Sequence, residues 1–240
     1  MIKAMVFILI TILATGPARA DIELSPLRQV LTNTTRVATF TLSNPSARII
    51  DGRVTWVDLS ATETGYAPAD AQTRAGLSAA PYLTLTPAQF RLEPGARIEV
   101  TVRLKDGARP PPGERRSHLL VETSAARTLI RKASSGLQAD IAVGVSVPVL
   151  LRGRGRGAAV LSETKLLRDG DGLLLISTAI EPTGAYSTYG RLTATFLPAA
   201  ADEEPELLGV RDNVAGYPDA PHRLVEIPFG FFSLGAGELT

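Results

Sequence analysis

Cysteine is absent from this chain and histidine is nearly so. Without cysteine the fold cannot depend on disulfide bonds, and neither a thiolate metal site nor a cysteine nucleophile can form. The histidines, His118 and His222, have no further ligands at a metal-binding spacing that would define a site. The sequence also lacks a Gly-x-Ser-x-Gly elbow, a phosphate-binding loop and a dinucleotide fingerprint. We therefore expect no metal, no cofactor and no enzymatic activity.

An excess of charge of either sign is missing as well, and the only membrane-like apolar stretch lies at the start of the chain. Lys3, the apolar residues 5–15 and the small residues Ala18 and Ala20 are typical of a secretory signal over residues 1–20. The stretch is short for a transmembrane helix, so an uncleaved anchor is the weaker alternative. Removing Lys3 and Arg19 leaves 25 − 2 = 23 basic and 24 acidic residues, a net charge of −1. We expect a secreted protein with no membrane insertion after cleavage and no nucleic-acid partner.

The remainder consists of short alternating apolar runs separated by turn residues, without a clear amphipathic helix. Residues 36–42 and 97–104 show the period of two that puts apolar side chains on one face of a strand. Trp56, the only tryptophan, is expected to pack in a core between two sheets. Residues 60–80 are expected to form a loop or a loose hairpin. The pattern predicts an all-β protein, and its length suits two sandwich domains of about 100 residues each.

The longest alternating run extends from Leu137 to Leu151. Its apolar side chains are Leu137, Ala139, Ile141, Val143, Val145, Val147, Val149 and Leu151. The run exceeds the usual strand length of about 5–6 residues, and Pro148 is poorly suited to a central strand. Two interpretations remain open from the run alone: the strand packs one face into its own core, or it offers its edge to another chain.

An alternating Arg-Gly tract, residues 152–157, follows this strand. In a secreted chain it is better interpreted as an interdomain linker or hinge than as a nucleic-acid-binding segment. We therefore divide the chain into a signal at 1–20, a first domain at 21–153 and a second domain at 158–240. Strands are predicted near 159–167, 172–180 and 189–197, with a turn at 169–172. The last strand is short, which leaves open whether the second domain is complete.

Five short motifs occur in an informative order in the first domain. They are Ile22-Glu-Leu-Ser-Pro-Leu-Arg28, Thr41-Leu-Ser-Asn-Pro45, Val54-Thr-Trp-Val-Asp58, Arg91-Leu-Glu-Pro-Gly95 and Gly113-Glu-Arg-Arg-Ser-His-Leu119. With the long strand after them, they resemble the periplasmic pilus-assembly chaperones of the chaperone–usher type, in a divergent branch. The resemblance covers residues 21 to about 152 and is weaker over 158–240. Each motif alone is weak, and their order makes the match specific.

The resemblance implies a non-catalytic periplasmic protein with two immunoglobulin-like sandwiches set at an angle, with a cleft between them. It implies that the long strand is lent to a pilin or fimbrial subunit, which is then delivered to an outer-membrane usher. The donated side chains would be Leu137, Ala139, Ile141, Val143, Val145 and Val147. Burial of an Ile or Val side chain contributes roughly 1.5–3 kcal/mol, enough for a few of them to hold a subunit reversibly.

The resemblance also implies that Arg28 lies in the cleft and binds the terminal carboxylate of the subunit. Members of the family add a lysine near the end of the long strand, but here that position falls on Pro148 or Ser146. Arg152 or Arg154 could substitute from the linker. Two further readings stay open: a self-capping homodimer formed through the long strand, and a secreted structural or adhesive immunoglobulin-like protein without subunit cargo.

Overall fold

Strands dominate the computed structural model, which describes residues 22–109, 112–125, 143–199, 204–229 and 237–239. The all-β prediction is confirmed. One α-helix, α1 (Ala71–Leu77), and a short 3-10 helix, Ala80–Tyr82, are the helical elements of this described part. The strands are β1 (Glu23–Ser25), β2 (Gln29–Leu31), β3 (Val37–Ser43), β4 (Ile50–Val57), β5 (Leu59–Ala61), β6 (Tyr66–Pro68), β7 (Leu83–Thr86), β8 (Gln89–Leu92), β9 (Arg97–Leu104), β10 (Glu114–Ala125), β11 (Val143–Arg152), β12 (Ala159–Arg168), β13 (Leu174–Pro182), β14 (Thr188–Pro198), β15 (Glu206–Gly216), β16 (Arg223–Pro228) and β17 (Gly237–Leu239).

The first sandwich packs a four-stranded sheet, β1-β3-β9-β7, against a five-stranded sheet, β2-β11-β10-β4-β8. Its core follows from the alternation of the strands, because inward residues such as Phe40, Val100, Leu119 and Val149 are fully buried. Trp56 is partly buried against this core, which agrees with the core role expected from the sequence.

The chain changes sheets near its beginning. The structure has two strands there, because β1 pairs with β3 in one sheet while β2 pairs in parallel with β11 in the other. Pro26 lies between them, and it has no N–H with which to continue a ladder. The crossing segment places Arg28 where the first sandwich meets the second.

Residues 60–80, expected to form a loop or loose hairpin, contain both a hairpin and a helix. Strands β5 and β6 pair with each other, and α1 follows. The side chain of Asp70 caps the helix by accepting a hydrogen bond from the Thr73 N–H at 2.7 Å. The helix has 7 residues, too few for an apolar period to be visible in the sequence. Arg115 of β10 donates to the carbonyls of Ala75 and Gly76, near the C-terminal end of α1, at 2.9 Å. These hydrogen bonds tie α1 to the first sandwich.

The second sandwich consists of the sheets β12-β13-β16 and β15-β14-β17. Its buried cluster includes Ile176, Phe196 and Ile227. The predicted turn between β12 and β13 is present, since the Gly172 N–H donates to the Asp169 carbonyl and Gly172 has a φ of 80°. Strand β15 was not anticipated from the sequence.

The Arg-Gly connection between the sandwiches is closely packed. The Gly153 N–H donates to the carbonyl of Gly113 at 2.9 Å. A Cβ atom on Gly155 would lie 2.2 Å from the Tyr186 ring, and one on Gly157 would lie 2.2 Å from the Ser187 carbonyl oxygen. Glycine is needed at these positions because the loop before β14 approaches the backbone. The segment that the sequence predicts to be an interdomain linker or hinge is therefore a fitted connection.

Candidate functional site

The outer edge of β11 is open over most of its length. On one side the strand pairs with β10 from Val143 to Arg152. On the other side β2 covers only Val149 to Leu151. Within the described residues, therefore, the backbone from Val143 to Pro148 has no strand partner on its outer side, and it can accept a further strand.

The described part of β11 fixes which face its odd-numbered residues occupy. Val145 is partly buried and packs against the core of the first sandwich, whereas Gly144 and Ser146 are exposed. The sequence-predicted donors Leu137, Ala139 and Ile141 lie outside the described residues, and Val143 is the first residue of the strand. The alternation in sequence places these four residues in the same phase as Val145.

Val147, which the sequence predicts to be a donor, is buried in the chain's own core. Only 3% of this residue is exposed, and it packs in the core of the first sandwich. Its side chain cannot enter a groove on another protein while it fills its own core, so we remove Val147 from the donor set. The change from half-buried Val145 to buried Val147 marks where the strand enters the sandwich.

Arg28 contacts the second sandwich through two different interactions. Its Nη2 donates to the Ser187 Oγ at 3.0 Å, and its guanidinium carbon lies 4.8 Å from the centre of the Tyr189 ring. Its Nε is buried and has no hydrogen-bond partner. Hydrogen bonding and cation–π stacking together hold the guanidinium in one orientation.

Arg152, at the end of β11, reaches the same serine. Its Nη2 donates to the Ser187 Oγ at 2.8 Å and to the Ser187 carbonyl at 2.9 Å, and its Nε donates to Glu114 at 2.6 Å. The Ser187 N–H donates to the other oxygen of Glu114 at 3.2 Å. Arg28 and Arg152 therefore meet at one hydroxyl, although 124 positions separate them in the sequence numbering (152 − 28 = 124). We refer to Arg28, Arg152, Glu114, Ser187 and Tyr189 as the arginine cleft.

The two arginines of the cleft differ in charge compensation. Arg152 forms an ion pair with Glu114 whose side chains are 18% and 6% exposed. Arg28 has no carboxylate within ion-pair distance among the described residues. The cleft thus holds one compensated and one uncompensated guanidinium among the described residues, and Arg28 has donor capacity that no acceptor there uses. Arg154, the other substitute considered from the sequence, is exposed.

A second arginine-centred contact joins the sandwiches elsewhere, and it is closed. Arg116 donates to both oxygens of Asp219, at 3.0 and 2.7 Å, and to the carbonyl of Leu59 at 2.9 Å. Its guanidinium also lies 4.0 Å from the centre of the Tyr217 ring. The side chain of Arg116 is 2% exposed and that of Asp219 is 20% exposed, so the guanidinium is enclosed and the pair serves to connect the domains.

The buried ion pair controls nearby ionisation. Burial acts to raise the pKa of Asp219, but its hydrogen bonds with Arg116 and the positive charge there outweigh burial and leave the pKa below its usual range. His118 lies beside this pair with its ring edge against Tyr66, at a centroid distance of 4.7 Å. Burial and the charge of Arg116 lower the pKa of His118 to about 3, so its ring is neutral at physiological pH.

The described residues contain no group of three or more His, Asp or Glu side chains arranged to hold a metal ion. No helix in the described ranges has the length and apolar character needed to span a bilayer.

Sequence reasoning named Arg28 and offered Arg152 as a substitute, and the structure brings both to Ser187, but no sequence signal pointed to Glu114, Ser187 or Tyr189. The last two lie on the loop before β14 and in its first residues, far from Arg28 in sequence. No local pattern marks them, because their role arises only from the packing of one sandwich on the other.

Comparisons with known proteins gave matches at the level of structure only. No protein-family model matches the chain, and no curated protein matches it. A crystal structure of the YadV chaperone is 12% identical, covers 92% of this chain and 90% of its own, and has a TM-score of 0.46. The E. coli chaperone DraB is 16% identical and covers 91% of this chain and 88% of its own, with a TM-score of 0.43.

A structure of the Salmonella enterica SafA pilin in complex with the SafB chaperone is also similar. It is 11% identical, covers 90% of this chain and 86% of its own, and has a TM-score of 0.43.

Proposed function

We propose that this protein is a periplasmic chaperone that binds pilin or fimbrial subunits by lending them a strand and delivers them to an outer-membrane usher. The observation that carries the proposal is the open outer edge of β11 from Val143 to Pro148. A subunit that lacks one strand of its own sheet could pair with this edge through main-chain hydrogen bonds.

The side chains would supply the apolar part of the contact. In this proposal Leu137, Ala139, Ile141, Val143 and Val145 fill a groove in the subunit, since they share one phase of the alternation. Burying a side chain such as Ile141 would contribute roughly 1.5–3 kcal/mol. The small residues of the set would keep the total low enough for later release.

Arg28 would bind the terminal carboxylate of the same subunit. Support comes from the uncompensated guanidinium in the arginine cleft, where Arg28 and Arg152 converge on Ser187. In place of the lysine found in the family, Arg152 would complete the cleft while Glu114 balances its charge. A carboxylate on Arg28 would then restore neutrality.

A pull-down from periplasmic extract tests strand lending. The tagged secreted chain is compared with the double variant Ile141→Asp/Val143→Asp, because two charges on the donor face would have to be buried in the subunit. We expect a small β-rich partner on the original chain and at least a tenfold loss on the variant.

Ser146→Asp is the matched control, since Ser146 is exposed on the opposite face of β11. It should retain the partner. Circular dichroism must show all three proteins folded. Equal capture by the double variant, or no partner on any folded chain, would reject strand lending in favour of a structural or adhesive role.

A further inference from the structure

Tyr189 occupies an unusual place beside the arginine cleft. It comes from the second sandwich, yet its ring lies against Arg28 of the first sandwich at 4.8 Å. The residue is 43% exposed, so much of the ring remains accessible to solvent. Its hydroxyl donates to the Asn213 Oδ1 at 2.6 Å, which orients the ring. An oriented, half-exposed aromatic ring next to an uncompensated cation is suited to a ligand with both an anionic and an apolar part.

Ser187 acts on the same cation from its buried side. The residue is 2% exposed, and its Oγ accepts from both Arg28 and Arg152. Ser187 is too enclosed to contact a ligand directly. It is a positioning residue, because its Oγ accepts from Nη2 of Arg28 and holds that nitrogen on the buried side, so an incoming carboxylate would bind at Nη1.

We propose that the second sandwich determines which chain ends the cleft accepts: Ser187 orients Arg28, and Tyr189 contacts the side chain of the terminal residue whose carboxylate Arg28 binds. The preferred ligand is a free C-terminal carboxylate on an aromatic or large apolar residue. The inference rests on the proposed function, because the last residue of the bound subunit would supply this carboxylate and side chain. It adds a selectivity that a lone surface arginine would lack.

The geometry explains this preference over other anions. In an amino acid the carboxylate and the side chain are attached to the same carbon atom. A carboxylate bound to Arg28 therefore brings the side chain of the terminal residue towards the Tyr189 ring. Arg152 is balanced by Glu114, and a single positive charge therefore faces the ligand. A monovalent carboxylate matches that charge.

Nuclear magnetic resonance titration of the ¹⁵N-labelled secreted chain tests the proposal without a known subunit. The probes are N-acetyl-phenylalanine, N-acetyl-glycine and N-acetyl-phenylalaninamide. We expect saturable shifts at the Arg28 Nε–H and Ser187 N–H with the two acids and none with the amide. The phenylalanine acid should bind about three- to tenfold more tightly than the glycine acid, the range expected for one aromatic contact.

Two variants separate the roles of the residues. Tyr189→Ala should remove the preference for phenylalanine over glycine while the glycine acid still binds. Ser187→Ala should weaken both acids about fivefold, the loss expected for one hydrogen bond, and Ser187→Thr should restore binding because it returns the hydroxyl. Leu166→Ala, at a 49% exposed leucine of the second sandwich, is the control for a lost apolar side chain and should match the original chain.

Equal binding of the two acids by the original chain would overturn the role of Tyr189. Binding of the amide as tightly as the acid would overturn the carboxylate site. If the acids bind as described but the Ile141→Asp/Val143→Asp variant captures a partner normally, strand lending fails and the cleft inference stands. If strand capture depends on Ile141 and Val143 but neither acid shifts the cleft resonances, the inference fails alone.

Discussion

Arg28 and Arg116 both contact the second sandwich from the first, but only Arg116 has a carboxylate opposite it in the described structure. Arg116 is buried, bound by both oxygens of Asp219 and stacked on Tyr217. Arg28 is half-buried, bound by a neutral hydroxyl and stacked on the half-exposed Tyr189. Similar contacts therefore have opposite consequences, because a compensated buried charge holds two domains together while an uncompensated accessible one can recruit an anion.

The strongest test of this comparison removes the closed pair. Asp219→Ala would leave the Arg116 guanidinium buried without its counter-charge, and breaking such a pair typically costs about 3–5 kcal/mol. We expect the free energy of unfolding, measured with urea, to fall by that amount.

Replacing both partners, in Arg116→Met/Asp219→Ala, should recover part of the loss because no unpaired charge remains buried. A fall of less than about 1 kcal/mol for Asp219→Ala would mean that Arg116 and Arg28 are equivalent in their need for a partner.

Acidification should lower the free energy of unfolding through His118, which lies beside the closed pair. Below its ordinary pKa of 6.5 the unfolded chain protonates His118, whereas the folded chain does so only near its lowered pKa of about 3. The contribution of His118 to stability is therefore full above pH 6.5 and is lost as the pH falls towards 3, by about 3 kcal/mol between pH 7 and pH 4. Urea unfolding at stepped pH measures this slope.

The same measurement on His118→Phe should remove the slope between pH 6.5 and pH 4.5, since phenylalanine keeps a ring against Tyr66 but binds no proton. Asp219, whose pKa is lowered, adds a further loss only as the pH falls below its ordinary value of 3.8. An unchanged slope in the variant would show that another group senses the pH.

The smallest effect on stability is expected at Arg28. Arg28→Met removes one hydrogen bond to Ser187 and the stacking on Tyr189, and it leaves no carboxylate unpaired. We expect a loss of only about 0.5–1.5 kcal/mol in the free energy of unfolding, together with loss of N-acetyl-phenylalanine binding. A loss as large as that of Asp219→Ala would show that Arg28 has a structural role like that of Arg116.

The sequence was sufficient to predict the all-β class and the phase of the long strand, because period-two patterns report burial directly. It failed where local signals conflict with packing. Strand β15 contains Gly209 and Asn213, residues typical of turns, and Asn213 has a φ of 59° within the strand. Its pairing with β14 has two register shifts, so no regular alternation marks it.

In the candidate site, too, residues marked by a local motif could be predicted, and residues brought in by domain packing could not. Arg28 was predictable because it stands in a motif, but Ser187 is 159 positions away and contacts it only through domain packing. Val147 was misassigned because alternation identifies a face of the strand without showing which protein covers that face. The boundary between the residues proposed as donors and those retained depends on where the strand enters its own core, a property of the folded chain.

The fitted glycine connection has a consequence for the exchange of parts between related proteins. A Cβ on Gly157 would meet the Ser187 carbonyl, and one on Gly155 would meet the Tyr186 ring. In a chimaera that takes its second sandwich from another protein, the segment equivalent to residues 153–158 and the loop before β14 must therefore come from the same parent. The two halves of this molecule are not interchangeable modules, and their joint is a matched pair of surfaces that must be transplanted as one unit.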